Sequence, residues 1–180
     1  TALYDALGRY VESTRDRDGI HVLVMYTDGG DSMSDLRASD VIDLLRGGRV
    51  MLYAIGYTAN QSSASRFVQE SLLNILARET GGAVFFPGSV RDLDRMYTTI
   101  RSEVRGRYTL GYVSTNETRD GTFRKVQVRL TDSSRRNLDV RTRTGYFAPR
   151  VRPSASAFRD PYPKGKHEDM EVARFCVGER

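Results

Sequence analysis

Apolar positions in the first hundred residues recur at two alternating rhythms. Leu3, Leu7, Tyr10 and Val11 are spaced for one face of a helix, and Thr1 stands where an N-cap would. The run Val22-Leu23-Val24-Met25-Tyr26 does not alternate, which predicts a strand over 20–27 covered on both faces, as in a parallel sheet. Leu36, Val41, Leu44 and Leu45 predict a second helix stopped by Gly47-Gly48, with Ser32 and Ser34 as cap candidates. Val50–Ile55 reads as a second buried strand running into Gly56. Ala64, Phe67, Val68, Leu72, Ile75 and Leu76 predict one apolar face on a third helix, ended by Gly81-Gly82. Ala83–Phe86 is a short strand stopped by Pro87-Gly88, and Leu93, Met96, Tyr97, Ile100 and Val104 mark a fourth helix.

Strict alternation of strand and helix through residue 105 predicts a doubly wound, Rossmann-like parallel sheet with helices on both faces. The rhythm then changes. Tyr108–Ser114, Phe123–Leu130 and Leu138–Thr144 read as strands joined by polar, turn-rich links such as Arg119-Asp120-Gly121. Val126, Val128 and Leu130 alternate with Gln127 and Arg129, so that piece has one wet face and predicts an antiparallel extension. The organisation expected is therefore an α/β unit over 1–105, a β-rich extension packed on it over 106–149, and a polar, disordered tail over 150–180.

Composition changes this picture little. At 180 residues, 39% hydrophobic and 28% charged, the chain is long enough for one domain with a real core. No apolar run approaches the roughly 20 residues that span a bilayer. The net charge of +5 is spread along the chain, without an aromatic-interleaved basic stripe, and no nucleic-acid partner is expected. A lone Cys176 and the isolated His21 and His167 supply neither a disulfide framework nor a zinc site. The opening Thr1-Ala2-Leu3-Tyr4 starts directly on a helix without a leader pattern, so a preceding N-terminal part is expected.

Candidate chemistry sits at one place. In Tyr26-Thr27-Asp28-Gly29-Gly30-Asp31 a buried strand runs straight into a carboxylate and two glycines. In open α/β folds ligands bind beyond the carboxyl ends of the strands, and glycines let the backbone turn sharply there. Thr1-Ala2-Leu3-Tyr4-Asp5-Ala6-Leu7, the Asp28 turn and Tyr53-Ala54-Ile55-Gly56-Tyr57 follow in an order that resembles the latter part of a von Willebrand factor A-type domain. Ala77-Arg78-Glu79-Thr80-Gly81-Gly82, Arg107-Tyr108-Thr109-Leu110-Gly111-Tyr112, Phe123-Arg124-Lys125-Val126 and Gly145-Tyr146-Phe147-Ala148-Pro149 narrow the likeness to the bacterial VWFA-related proteins. In those an A-type domain is followed by a short β-rich extension, and the resemblance covers residues 1 to about 149.

The resemblance implies a metal-ion-dependent adhesion site built from Asp-x-Ser-x-Ser, a loop threonine and a Thr-Asp-Gly aspartate. Thr1 matches the threonine and Asp28 the aspartate. The first motif is missing, since Asp31-Ser32-Met33-Ser34 has the wrong spacing and follows the wrong strand. Mg²⁺ takes near-octahedral oxygen ligands, so one hydroxyl and one carboxylate make an incomplete site; Asp31 is a weaker third candidate. The expectation is an adhesion-type, protein-binding module, not an enzyme. Its full-length form would bind Mg²⁺ or Mn²⁺ and bridge to an acidic residue of a partner, while this chain would hold the ion weakly or not at all. By the same likeness the protein would be exported. The residues alone also allow Thr1 and Asp28 to be a helix cap and a turn former. The alternative from another class is a metal-dependent phosphoryl-transfer or hydrolase domain using Asp28, which lacks a P-loop, a nucleophile elbow or a second paired carboxylate in this sequence.

Overall fold

The computed structural model describes residues 1–58, 61–131 and 138–150, together with the backbone of 171–179. Helix α1 (Leu3–Ser13), strand β1 (His21–Thr27), helix α2 (Ala38–Gly47), strand β2 (Val50–Gly56), helix α3 (Ser63–Thr80), strand β3 (Ala83–Phe85) and helix α4 (Leu93–Arg105) alternate as the apolar rhythm predicts. The three strands run parallel in the order β1-β2-β3, with Leu23 opposite Leu52 and Ala54 opposite Val84. Leu23, Met25, Val50 and Leu52 face a layer made by α1, α2 and α3, through Leu3, Leu7, Val11, Val41, Leu45 and Leu76. Met51, Tyr53 and Ile55 point the other way, onto Met96 and Ile100 of α4. The result is an α/β protein with a Rossmann-like parallel sheet covered on both faces. Among the described residues no helix is long and apolar enough to cross a membrane.

Strand β2 is buried along its whole length, which explains its unbroken apolar run. Strand β1 is an edge. His21 N–H bonds to Arg49 O and Thr27 O accepts from Tyr57 N–H, so the odd residues of β1 turn their peptide groups to β2. Val22, Val24 and Tyr26 therefore turn theirs outward, where no strand of the described residues pairs with them. The side chains of Val24 and Tyr26 are exposed, and the Tyr26 ring stacks on Tyr57 at 6.4 Å.

Helix α3 differs from its expected face. Leu73, Leu76, Ala77 and Thr80 are buried, while Phe67, Val68 and Ile75 are exposed. Apolar residues occupy much of its circumference, so periodicity did not select a side. Contact with the sheet did: Leu73 lies against Gly56, and its Cδ1 would be 3.2 Å from a Cβ placed there. Ser62 caps the helix start by accepting from Ser65 N–H, and Gly81 closes its end at φ +77°, where an L side chain is strained. Buried Thr80 accepts from Leu52 N–H at 2.9 Å and donates to Ala77 O at 2.8 Å. A sheet amide on the β3 side of β2 is thereby satisfied by a helix terminus.

Beyond α4 come β4 (Arg107–Tyr112), β5 (Phe123–Lys125), β6 (Leu138–Thr142), β7 (Gly145–Phe147) and β8 (Glu171–Glu179). They form two antiparallel sheets, β4-β8-β6 and β5-β7. The strand expected over 123–130 is only three residues long, and the one expected over 138–144 ends at Thr142, with β7 following beyond it. Gly145 passes close over β5, where a Cβ on it would come within 2.1 Å of Arg124 O. The disordered tail expected from residue 150 does not extend to 171–179: Val172-Ala173-Arg174-Phe175-Cys176-Val177 forms a strand between β4 and β6. The rest of that expectation, 151–170 and 180, lies outside the described residues.

Arginines join the extension to the α/β unit. Arg46 in α2 makes a two-point ion pair with Glu79 of α3, at 2.8 and 3.2 Å, and lies 4.6 Å over the Phe123 ring. Thr144 donates its hydroxyl to the same Glu79 carboxylate. Arg143 donates to Leu45 O at 2.8 Å and Arg46 O at 2.9 Å, placing a cation on the negative end of α2. Burial pulls its guanidinium below the usual arginine value. Arg141 of β6 pairs with Glu103 of α4.

Candidate functional site

At the end of β1 the backbone must leave the sheet at once. Thr27 Oγ1 accepts from Gly29 N–H at 3.0 Å, and Asp28 Oδ1 accepts from Gly30 N–H at 3.0 Å, so two consecutive side chains set the turn. Gly29 has φ +80°, and a Cβ on it would lie 2.9 Å from Gln69 Cβ on α3. The glycines thus answer two demands, an unusual backbone angle and close passage over a helix. The Asp28 carboxylate is left exposed at the carboxyl end of the parallel sheet.

The loop that follows is tied to α1 by reciprocal capping. Asp31 Oδ2 accepts from Tyr4 N–H at 2.9 Å and from the Ser34 hydroxyl at 2.5 Å, and Oδ1 accepts from Ser34 N–H at 3.2 Å. In return Asp5 of α1 accepts from Asp35 N–H at 3.1 Å and Leu36 N–H at 3.0 Å. Burial would raise the Asp31 carboxyl, but the Ser34 hydroxyl and the Tyr4, Ser34 and Leu3 amides outweigh it and hold it at about 2. Burial, and then the Asp31 charge, raise the Tyr4 phenol.

Asp31 is therefore the N-terminal cap of α1, supplied from a distant segment, and its oxygens are spent. Thr1 does not cap α1 either. Its carbonyl accepts from Ser32 N–H at 3.0 Å and Met33 N–H at 3.2 Å, and its amino group donates to Ser32 Oγ at 3.2 Å. Ser34 serves α1, not α2, whose first turn is closed by Asp40 accepting from Arg37 N–H at 2.9 Å. Replacing Asp31 with Ala should lower the unfolding midpoint at neutral pH. Because the folded value is depressed, the contribution is full above the unfolded carboxylate range and fades as pH falls towards 2. Thermal melts of both chains should thus converge on acidification.

Thr1 and Asp28 lie on neighbouring segments at one end of the fold, joined through residues 31–33, with no hydrogen bond between them among the described residues. Gln61 and Gln69, for which sequence gave no signal, stand beside them. Gln61 Nε2 donates to Asp28 O at 3.2 Å, and the side-chain oxygens of both glutamines are buried without a partner among the described residues. A Cβ on Gly30 would sit 3.4 Å from both Asp28 Oδ1 and Gln69 Nε2.

Tested against a divalent cation, this donor set falls short of an octahedral oxygen shell. One carboxylate faces outward, Asp31 is occupied, and among the described residues no three acidic, histidine or cysteine side chains gather. Comparisons with family models, with characterised proteins and with solved structures each found no match.

Proposed function

We propose that the chain is a protein-binding module of the von Willebrand factor A type, with its contact surface at the rim around Asp28. One observation carries this reading: an exposed carboxylate at the carboxyl end of a parallel strand, on a loop bonded to Thr1 and α1. That is where open α/β sheets present ligand-binding groups. The partner contributes an acidic side chain. The Mg²⁺ or Mn²⁺ that the resemblance implies belongs to the full-length protein, where Thr1 and Asp28 give two oxygens and other donors complete the set. By the same analogy the full-length protein works outside the cytoplasm.

Titrating Mg²⁺ into this 180-residue chain should give no micromolar heat of binding. In the full-length protein, Asp28→Ala should abolish EDTA-sensitive partner capture with little change in the unfolding midpoint. Micromolar Mg²⁺ binding by this chain, or capture that persists in EDTA, would overturn the respective half of the proposal.

A further inference from the structure

A second surface lies away from Asp28. An open groove of about 1210 Å³ runs between the last turns of α3, the outer edge of β3 and the segment after β5. Its walls are apolar at Ile75, Val126 and Val128 and cationic at Arg78 and Lys125. Ile75 is 45% exposed, although it sits on a helix packed against the sheet. Its charge is one-sided. Glu79, the carboxylate of the lining, is spent on Arg46 and Thr144, and Arg141 is paired with Glu103. Arg78 and Lys125 carry no ion pair among the described residues. Backbone is also available: Val126 N–H bonds to Thr144 O, but the stretch to Leu130 pairs with no strand among the described residues.

We infer that this groove binds an extended acidic peptide segment of a partner protein. Alternate apolar side chains of the peptide meet Ile75, Val126 and Val128, and its carboxylates meet Arg78 and Lys125. Charge complementarity selects the occupant, since among the described residues Arg78 and Lys125 face the groove without an ion pair and its one carboxylate, Glu79, is already engaged, a balance that attracts acid and repels base. Single-stranded nucleic acid fits less well. The aromatic ring of the lining, Phe123, already carries Arg46 on one face, leaving no stacking platform. This surface does not depend on the Asp28 reading.

The test is fluorescence anisotropy of the 180-residue chain with three labelled probes: an alternating Glu/Val decapeptide, its Lys/Val counterpart and a ten-nucleotide single-stranded DNA. The acidic peptide should bind and weaken with added salt, and the basic one should not bind. Arg78→Glu and Lys125→Glu should each weaken binding about tenfold, as for charges at an interface rim, while Asp28→Ala leaves it unchanged. Both residues are exposed, and amide chemical shifts of each variant confirm that the fold is kept. Equal binding of acidic and basic peptides, indifference to both Arg78→Glu and Lys125→Glu, or tighter binding of the DNA with the same charge dependence would each overturn the inference.

Discussion

Among the described glycines, Gly82→Ala should be the most damaging single methyl addition. A Cβ on Gly82 would sit 1.8 Å from Leu52 O and 2.6 Å from Leu52 C, inside the backbone of the central strand. Neither neighbour can yield cheaply. Leu52 is fully buried, and its amide is held by Thr80. Overpacking against side chains costs about 1–3 kcal/mol, and backbone yields less readily, so a loss of at least about 3 kcal/mol is expected. At 2–4 °C per kcal/mol for a chain of this size, the midpoint should fall by about 10 °C. Gly88→Ala is the comparison, since the nearest atom to its Cβ is Asp92 Oδ2 at 3.7 Å. Thermal unfolding followed by circular dichroism separates the two. Equal midpoints would mean that β2 and the end of α3 are further apart than described.

Glu79→Ala should loosen the extension from the α/β unit. Glu79 is 12% exposed and gathers the Arg46 guanidinium and the Thr144 hydroxyl at one carboxylate. Removing it leaves Arg46 with the more exposed Asp43 alone and Thr144 without an acceptor, a cost of about 2 kcal/mol for a partly buried pair. Glu79→Gln keeps the shape and isolates the charge. Burial opposes ionisation, but Arg46, Thr144 and the nearby Arg78 prevail and hold the carboxyl below its usual 4.5. A depressed folded value gives stability that is complete above the unfolded value and disappears as pH falls through the folded one. Urea unfolding should therefore show a wild-type advantage over Glu79→Gln at pH 7 that shrinks below about pH 4. A difference independent of pH would point to packing instead of charge.

Within the parallel sheet β2 carries its burial in the sequence, whereas β1, expected to be covered on both faces, leaves Val24 and Tyr26 exposed because it is an edge. The unbroken Val50–Ile55 run is short and bounded by Gly47-Gly48 and Gly56, which favours the buried strand that it forms. Helix α3 was legible as a helix but not as a face, because Phe67 and Ile75 are as apolar as the Leu73 and Leu76 that the sheet selected. The extension was misjudged in detail because short strands are set by close backbone approach, as at Gly145 and Arg124, which no periodicity encodes. At the candidate site the Asp28 turn could be read from Thr27-Asp28-Gly29-Gly30. The work of Asp31 as a cap could not, since Tyr4, whose amide it holds on α1, is 27 residues away. Asp5 in the first turn of a helix was the one local hint that two capping groups were exchanged. Gln61 and Gln69 become visible only when α3 is laid beneath the glycines.

The unpaired margin formed by Val22, Val24 and Tyr26 gives this sheet a direction in which it can lengthen. Only every second residue there offers a donor and an acceptor, so an added strand that slips by two residues keeps its face, whereas one that slips by a single residue must turn over. Alignments two residues apart would deliver the same alternate set of the newcomer's side chains to the α4 side, and alignments one residue apart the opposite set. Selection at this margin would act first on which half of an incoming segment is greasy, and only then on where it stops.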